Sequence, residues 1–307
     1  MTLPKAVGQY ITLKRSLGFR FQSESVILAA FSKAVGKMHL GQIKPRAVRA
    51  YLDGHGPVTR HWHRKWETLR SFYRFALARR WVRYSPLPAQ APKVDTTFTA
   101  YIYTQEELQA LLQAITPERT GRVSPQTVRA LLLLLYGAGL RISEALKLEI
   151  GDVDLQERLL CIRQSKFFKT RWVPIGPKLT EVLRDYERQR PAPDSSHPCF
   201  FRANKGTPVS RSTSERIFAK LRLAAGIKRT DGGRYQPRLH DLRHTAAVHR
   251  LVAGYRQGAD VQSLLIRLSA YLGHVDIAAT QKYLSWTPEL RTQASARFAC
   301  YALGGSR

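Results

Sequence analysis

Residues 137–148 read GAGLRISEALKL, and reading outward from them decides the fold. Ahead of the segment, Gln126–Tyr136 is apolar almost all the way round a helical wheel, which predicts a helix central to a core and ended by Gly137-Ala138-Gly139. Behind it, a short helix begins near Ser143, so Arg141 falls in a firm turn from which a guanidinium can project. Thr104 and Glu107 have the spacing of a capping box and open a helix through Leu108, Leu111 and Leu112. The period then changes. Val153–Leu155, Leu159–Ile162 and Trp172–Ile175 read as short strands of a small sheet, with the loop Ser165–Arg171 between the last two. From Leu179 the pattern is helical again, apart from the turn-rich stretches Pro191–Pro198 and Asp231–Pro237. The expectation is a mainly α domain with a small β-sheet over residues 102–307.

Upstream, residues 1–90 read as four helices: one over Leu3–Leu17, one around Val26–Val35, a shorter one at Pro45–Leu52 ended by Asp53-Gly54, and one whose apolar stripe runs from Trp62 to Leu77. Pro86, Pro88 and Pro92 then break the pattern, and residues 91–101 are expected to form an interdomain linker. Residues 1–92 hold 17 Lys/Arg against Glu24, Asp53 and Glu67, a local balance of +14. With acidic counterweights this scarce, phosphate contact is a better account than a solvated face, and Arg60, Arg64, Lys65 and Arg70 are the candidates.

The whole chain of 307 residues carries 50 Lys/Arg against 22 Asp/Glu, a formal charge of +28 that favours a polyanionic partner. A hydrophobic share of 44% excludes an intrinsically disordered chain. Cys161, Cys199 and Cys300 are scattered, without zinc spacing or the even number of a disulfide framework, which fits a reducing cytoplasm. The longest apolar run, residues 130–140, is too short to span a bilayer, and the N-terminus lacks a signal-peptide hydrophobic region. A soluble cytoplasmic protein is expected.

Two further segments carry chemistry. In LHDLRHT (239–245), His240 and Arg243 are three apart, on one face if helical, and an imidazole beside an arginine fork suits phosphate better than metal. In YLGHVDIAATQKYLSW (271–286), His274 follows a glycine, Asp276 suits an N-cap, and Tyr283 lies on the helix beyond. Taken singly, Arg141 could cap a helix, His240 could be a buried hydrogen-bonding histidine and Tyr283 a core tyrosine. Together they are what phosphodiester cleavage needs: cations on the non-bridging oxygens and an in-line nucleophile. His244, His249, His61 and His63 are expected to be surface or packing residues, and Trp62, Trp66 and Trp286 packing ones.

These segments, in this order, resemble those of the tyrosine recombinase (phage-type integrase) family. GAGLRISEALKL corresponds to the first arginine motif, LHDLRHT to the histidine-x-x-arginine motif, LGH to the next histidine and QKYL to the nucleophile. IRQSKFFKTRWVPIG (162–176) resembles the hairpin that delivers a lysine, with Lys166 in that role and Lys169 the alternative occupant. The resemblance implies an N-terminal core-binding (SAM-like) four-helix domain and an α+β catalytic domain. It implies a site-specific recombinase with the catalytic set Arg141, Lys166, His240, Arg243, His274 and Tyr283, acting on double-stranded DNA through a 3′-phosphotyrosyl link and a Holliday junction. Neither metal nor cofactor is expected, and Lys169 and Arg171 join the candidate DNA contacts. Implied partners are further copies of the chain, four on two DNA sites, and accessory recombinases. The separation between Arg243 and His274 is longer than in the family, with an added turn around Gly254–Asp260 that extends a helix, touches DNA or touches a neighbouring subunit. Pro288–Leu303 reads as a terminal helix that docks on an adjacent protomer. The rival readings are a type IB topoisomerase or telomere resolvase using the same chemistry, and a catalytically silent DNA-binding subunit.

Overall fold

The structure, a computed structural model, describes residues 1–54, 56, 58–93, 99–163, 170–192, 198–233, 235–273, 280, 281 and 283. The chain divides into two compact units, Met1–Thr97 and Phe98–Arg307. The first holds α1 (Leu3–Ser16), α2 (Gln22–Val35), α3 (Pro45–Asp53) and α4 (Arg60–Ala78). Pro4 and Pro45 sit in the first turns of their helices, where a missing N–H costs nothing. Gly54 stops α3 and Gly36 stops α2, both at positive φ. α4 is the spine of this unit: Trp62, Trp66, Leu69, Phe72, Tyr73 and Ala76 face inward against Leu3 and Tyr10 of α1, Leu28 and Phe31 of α2, and Val48 and Leu52 of α3. Trp62 and Trp66 are packing residues, as expected, and each indole N–H is satisfied, by Asp53 Oδ1 at 2.8 Å and by Pro88 O at 3.1 Å.

The second unit is mainly helical around a small sheet. It runs α5 (Gln105–Gln113), α6 (Pro117–Thr120), α7 (Pro125–Gly137), α8 (Ile142–Ala145), β1 (Val153–Asp154), β2 (Leu159–Ile162), β3 (Arg171–Pro174), α9 (Pro177–Gln189), α10 (Arg211–Ala224), α11 (Asp241–Arg256) and α12 (Val261–Leu272). The capping box at Thr104 and Glu107 forms, with reciprocal bonds of 3.2 and 2.9 Å. The three strands are antiparallel in the order β1-β2-β3, with Leu160 opposite Val173 and both buried. α7 is buried on most of its surface and packs against α9 and α11, as its all-round apolar sequence dictates. The turn around Gly254–Asp260 separates two helices: α11 ends at Arg256, Gly258 takes φ of 83°, and Asp260 caps α12 through a 2.7 Å bond to the Ser263 N–H.

Cys161 and Cys199 are buried free thiols. Among the described residues no helix is long and apolar enough to cross a membrane. The terminal helix expected over Pro288–Leu303, Asp276, Trp286 and Cys300 lie outside the described residues.

Gly139 ties α7 to the elements that carry the chemistry. It takes φ of 60°, and a Cβ there would approach Leu272 Cδ2 to 2.9 Å. Gly139→Ala is expected to lower stability by about 1–3 kcal/mol, since a side chain is both strained and crowded at that position. The measurement is urea unfolding of the intact protein, read as a lower midpoint at unchanged slope.

Candidate active site

Backbone geometry places the first arginine. Arg141 is the N-cap residue of α8, extended at φ −70° and ψ 144°, and Glu144 one turn later folds back onto it. Glu144 Oε2 accepts the Arg141 backbone N–H at 3.0 Å and Oε1 accepts its guanidinium at 2.7 Å. The Arg141 side chain stays 28% exposed. The second arginine comes from the first turn of α11 and is 2% exposed. One nitrogen of Arg243 donates to Gly139 O and the other to Leu272 O, each at 2.7 Å, and its charge lies 3.8 Å from Glu144 Oε2. The carbonyls thus used lie where α7 and α12 end and carry partial negative charge. Burial, and after it the Arg141 charge, pull the Arg243 guanidinium down to about 10, and Glu144 opposes them. It remains a cation at neutral pH.

Tyr283 is reached by a segment of which Thr280, Gln281 and Tyr283 are described, all with helical backbone. Its ring is 2% exposed and packs with Val248, Leu251 and Tyr255 of α11 and Leu265, Leu268 and Leu272 of α12. Burial raises the phenol above its ordinary pKa, while the charges of Arg243 and Arg141 and a hydrogen bond with Arg243 work to lower it. Nearby guanidinium charge favours the phenolate form. His244 Nδ1 stands 3.3 Å from the same oxygen. His240, at the N-cap of α11, turns its ring edge-on to His244 with centroids 4.8 Å apart. Desolvation first, then the Arg243 charge, push its imidazole down to about 4, which favours the neutral ring at pH 7.

Four of the sequence candidates, Arg141, His240, Arg243 and Tyr283, are therefore brought together by one chain. Lys166, Lys169 and His274 lie outside the described residues. Arg171, expected among DNA contacts, points inward: its side chain is 13% exposed and its two terminal nitrogens donate to the Glu144 oxygens at 3.2 and 3.0 Å. In the N-terminal unit Arg60 and Arg70 are exposed on α4, with Arg70 stacked 5.1 Å from the Trp66 ring. Arg64 pairs with Glu24 at 3.2 Å. Lys65 is turned toward α3, where its ammonium donates to Tyr51 O and Leu52 O at 2.8 and 3.2 Å, because the last carbonyls of a helix attract a cation.

Sequence reading missed Glu144 and His244. Each had a signal: Glu144 follows Arg141 by three residues at a helix start, and His244 follows His240 by four, hence on the same helical face. His244 is not a bystander, since it meets the Tyr283 hydroxyl. His249 and His63 are structural, bonding Tyr136 Oη at 2.8 Å and Pro92 O at 2.7 Å. Among the described residues no group of three or more His, Cys, Asp or Glu side chains is placed to hold a metal ion.

A buried tyrosine hydroxyl in the field of two arginines is an arrangement suited to attack on a phosphodiester. Residues 102–289 match the phage integrase family, and the chain belongs to that family, the tyrosine recombinases that break and rejoin DNA strands. It is 34% identical over 307 residues to the putative integrase/recombinase y4rB of Sinorhizobium fredii (strain NBRC 101917 / NGR234), covering 96% of each chain. It is 30% identical over 241 residues to tyrosine recombinase XerA of Thermococcus kodakarensis (strain ATCC BAA-918 / JCM 12380 / KOD1), covering 78% of this chain and 76% of that one. In fold it is similar to lambda integrase (75–356), solved as a dimer bound to a COC′ core site, with TM-score 0.64, 19% identity, and 90% and 96% of the two chains covered. It is similar also to the Tn1549 transposon integrase, solved with a circular intermediate DNA, with TM-score 0.68, 16% identity, and 97% and 100% covered.

Burial alone would raise the Glu144 carboxyl, but the hydrogen bonds and charge of Arg171, the Arg141 amide and the Arg141 charge hold it down at about 2. A carboxyl depressed on folding stabilises the protein above its unfolded value and ceases to do so as pH falls through its folded one. Stability is thus expected to decline between about pH 4.5 and pH 2, and Glu144→Gln to lack this component, as read by thermal melting across that range.

Proposed function

We propose that the chain is a site-specific recombinase of double-stranded DNA whose own Tyr283 attacks a phosphate held by its own Arg141 and Arg243. The observation that carries the reading is the buried Tyr283 hydroxyl 3.3 Å from His244, the residue after Arg243 on α11, with Glu144 shared by Arg141 and Arg243 in the same chain. The Tyr283 oxygen forms a bond to phosphorus as the bond to the 5′ oxygen breaks. The phenol's proton passes to a neighbouring imidazole, His240 or His244, and Lys166 supplies a proton to the leaving oxygen. Arg141 and Arg243 neutralise the charge that grows on the non-bridging oxygens, and His274 adds a hydrogen bond there. Since the 3′-phosphotyrosyl link conserves the energy of the phosphodiester, a 5′-hydroxyl from another strand reverses the step without nucleotide hydrolysis.

Lambda integrase has been solved as a tetramer bound to a Holliday junction, and XerH on a palindromic difH substrate in a post-cleavage complex. By this analogy four copies of the chain act on two DNA sites, and accessory recombinases are potential further partners. The relatives are recombinases and integrases, which supports strand exchange over a topoisomerase, a telomere resolvase or a silent DNA-binding subunit. The free cysteines fit action in the cytoplasm. Arg60 and Arg70 in the N-terminal unit are the proposed phosphate contacts there, with Arg64 and Lys65 contributing charge near α3 and α2, and Lys169 is proposed to touch DNA beside Lys166.

On a nicked substrate from which the cut fragment diffuses away, the wild type is expected to accumulate a covalent DNA adduct. Tyr283→Phe should form none while still binding DNA, and Arg243→Ala should slow adduct formation by at least about a hundredfold. Binding without any adduct from the wild type would support the silent subunit instead. In a separate binding series, Arg60→Ala and Arg70→Ala should each weaken affinity for any DNA sequence and lower the slope of log K against log salt by about one.

A further inference from the structure

Arg171 opens β3, yet it is spent on two elements far from it in the chain. Its fork grips both oxygens of Glu144, and its Nε donates to Tyr271 O at 3.3 Å. The next carbonyl, Leu272 O, is taken by Arg243. The last two carbonyls of α12 are therefore capped by two different arginines, one from β3 and one from α11, and both arginines face the same carboxylate. Tyr271 answers with a 3.1 Å bond from its hydroxyl to Pro174 O, so α12 and β3 are tied twice. Gly273 follows with φ of 67°, and a Cβ there would lie 2.8 Å from the Arg171 guanidinium carbon. Glycine is needed at that point both for the left-handed turn and for the approach of Arg171.

The charges give this arrangement a purpose. Glu144 is a buried anion next to the cations that are to hold a phosphate. Were it balanced by Arg141 and Arg243 alone, it would compete with the phosphate for both, since a guanidinium pairs with either acid group through the same fork. Two-point pairing to Arg171 satisfies the carboxylate from its other side. We infer that Arg171 is a positioning residue of the phosphate-binding centre: it takes up part of the charge of Glu144, so that Arg141, bonded to the same carboxylate, and Arg243 keep a net positive charge for the scissile phosphate, and it fixes the end of α12. The inference rests on the preceding reading that Arg141 and Arg243 hold that phosphate.

The test is single-turnover adduct formation on the nicked substrate by full-length wild type, Arg171→Gln, Arg171→Lys, Glu144→Gln and the Arg171→Gln/Glu144→Gln double variant, with DNA affinity measured alongside. Arg171→Gln is expected to cut about a hundredfold more slowly at nearly unchanged affinity, because the whole carboxylate charge then falls on Arg141 and Arg243. Removing that carboxylate as well should restore about tenfold of the loss, a rescue that a residue needed only for packing would not show. Arg171→Lys keeps the charge without the fork and should fall between wild type and Arg171→Gln, and it carries the test if Arg171→Gln does not fold. Cleavage by Arg171→Gln within about threefold of wild type, or a double variant no faster than Arg171→Gln, overturns the inference. The underlying reading fails differently: wild type would then form no adduct, or Arg243→Ala would cut as fast as wild type.

Discussion

One buried carboxylate, Glu144, holds three guanidinium groups from three separate elements within 3.8 Å. An ion taken out of water is costly unless its partners are close and well aligned, so α8, β3 and α11 are constrained to meet where these four groups meet. The cluster is left with a surplus of positive charge. That surplus has no counterion among its own members, and a phosphodiester supplies one of the right sign. Local backbone geometry does the rest, from the N-cap position of Arg141 to the carbonyls of Gly139 and Leu272 that orient Arg243.

The same economy of charge explains why a surplus of lysine and arginine does not translate residue by residue into a binding surface. In the N-terminal unit Lys65 closes α3, Arg64 meets Glu24, and Arg70 lies on Trp66, all on the helix that also carries the core aromatic stripe. Each long side chain can cover apolar surface while its head is bonded or solvated. The charge of such a unit acts as a field, and the field survives the diversion of a few of its members to structural bonds.

Much of the fold was legible because it rests on local signals. Periodicity found the helices and the switch to strands, the Thr104 and Glu107 pair announced a cap, and glycines marked the ends of α3 and α7. The site was legible where residue types are chemically distinctive, as with Arg141, His240, Arg243 and Tyr283. It was opaque where the same residue type serves two ends. Nothing in the sequence of β3 tells an arginine aimed at DNA from one aimed at a carboxylate 27 positions earlier. His244 illustrates the same limit, since contact with Tyr283 depends on how a segment 39 residues later packs back onto α11.

The apolar bed of Tyr283 bears on the chemistry proposed for it. With Tyr283 as the proposed nucleophile, a ring seated among Val248, Leu251, Leu265 and Leu268 would keep bulk solvent from the oxygen to be joined to DNA. Hydrolysis of that ester would leave a break that no incoming strand could reseal. A sheltered seat for the ring would let that proposed joined state outlast the wait for an incoming strand end, so the lining of α11 and α12 serves the proposed chemistry as well as the fold.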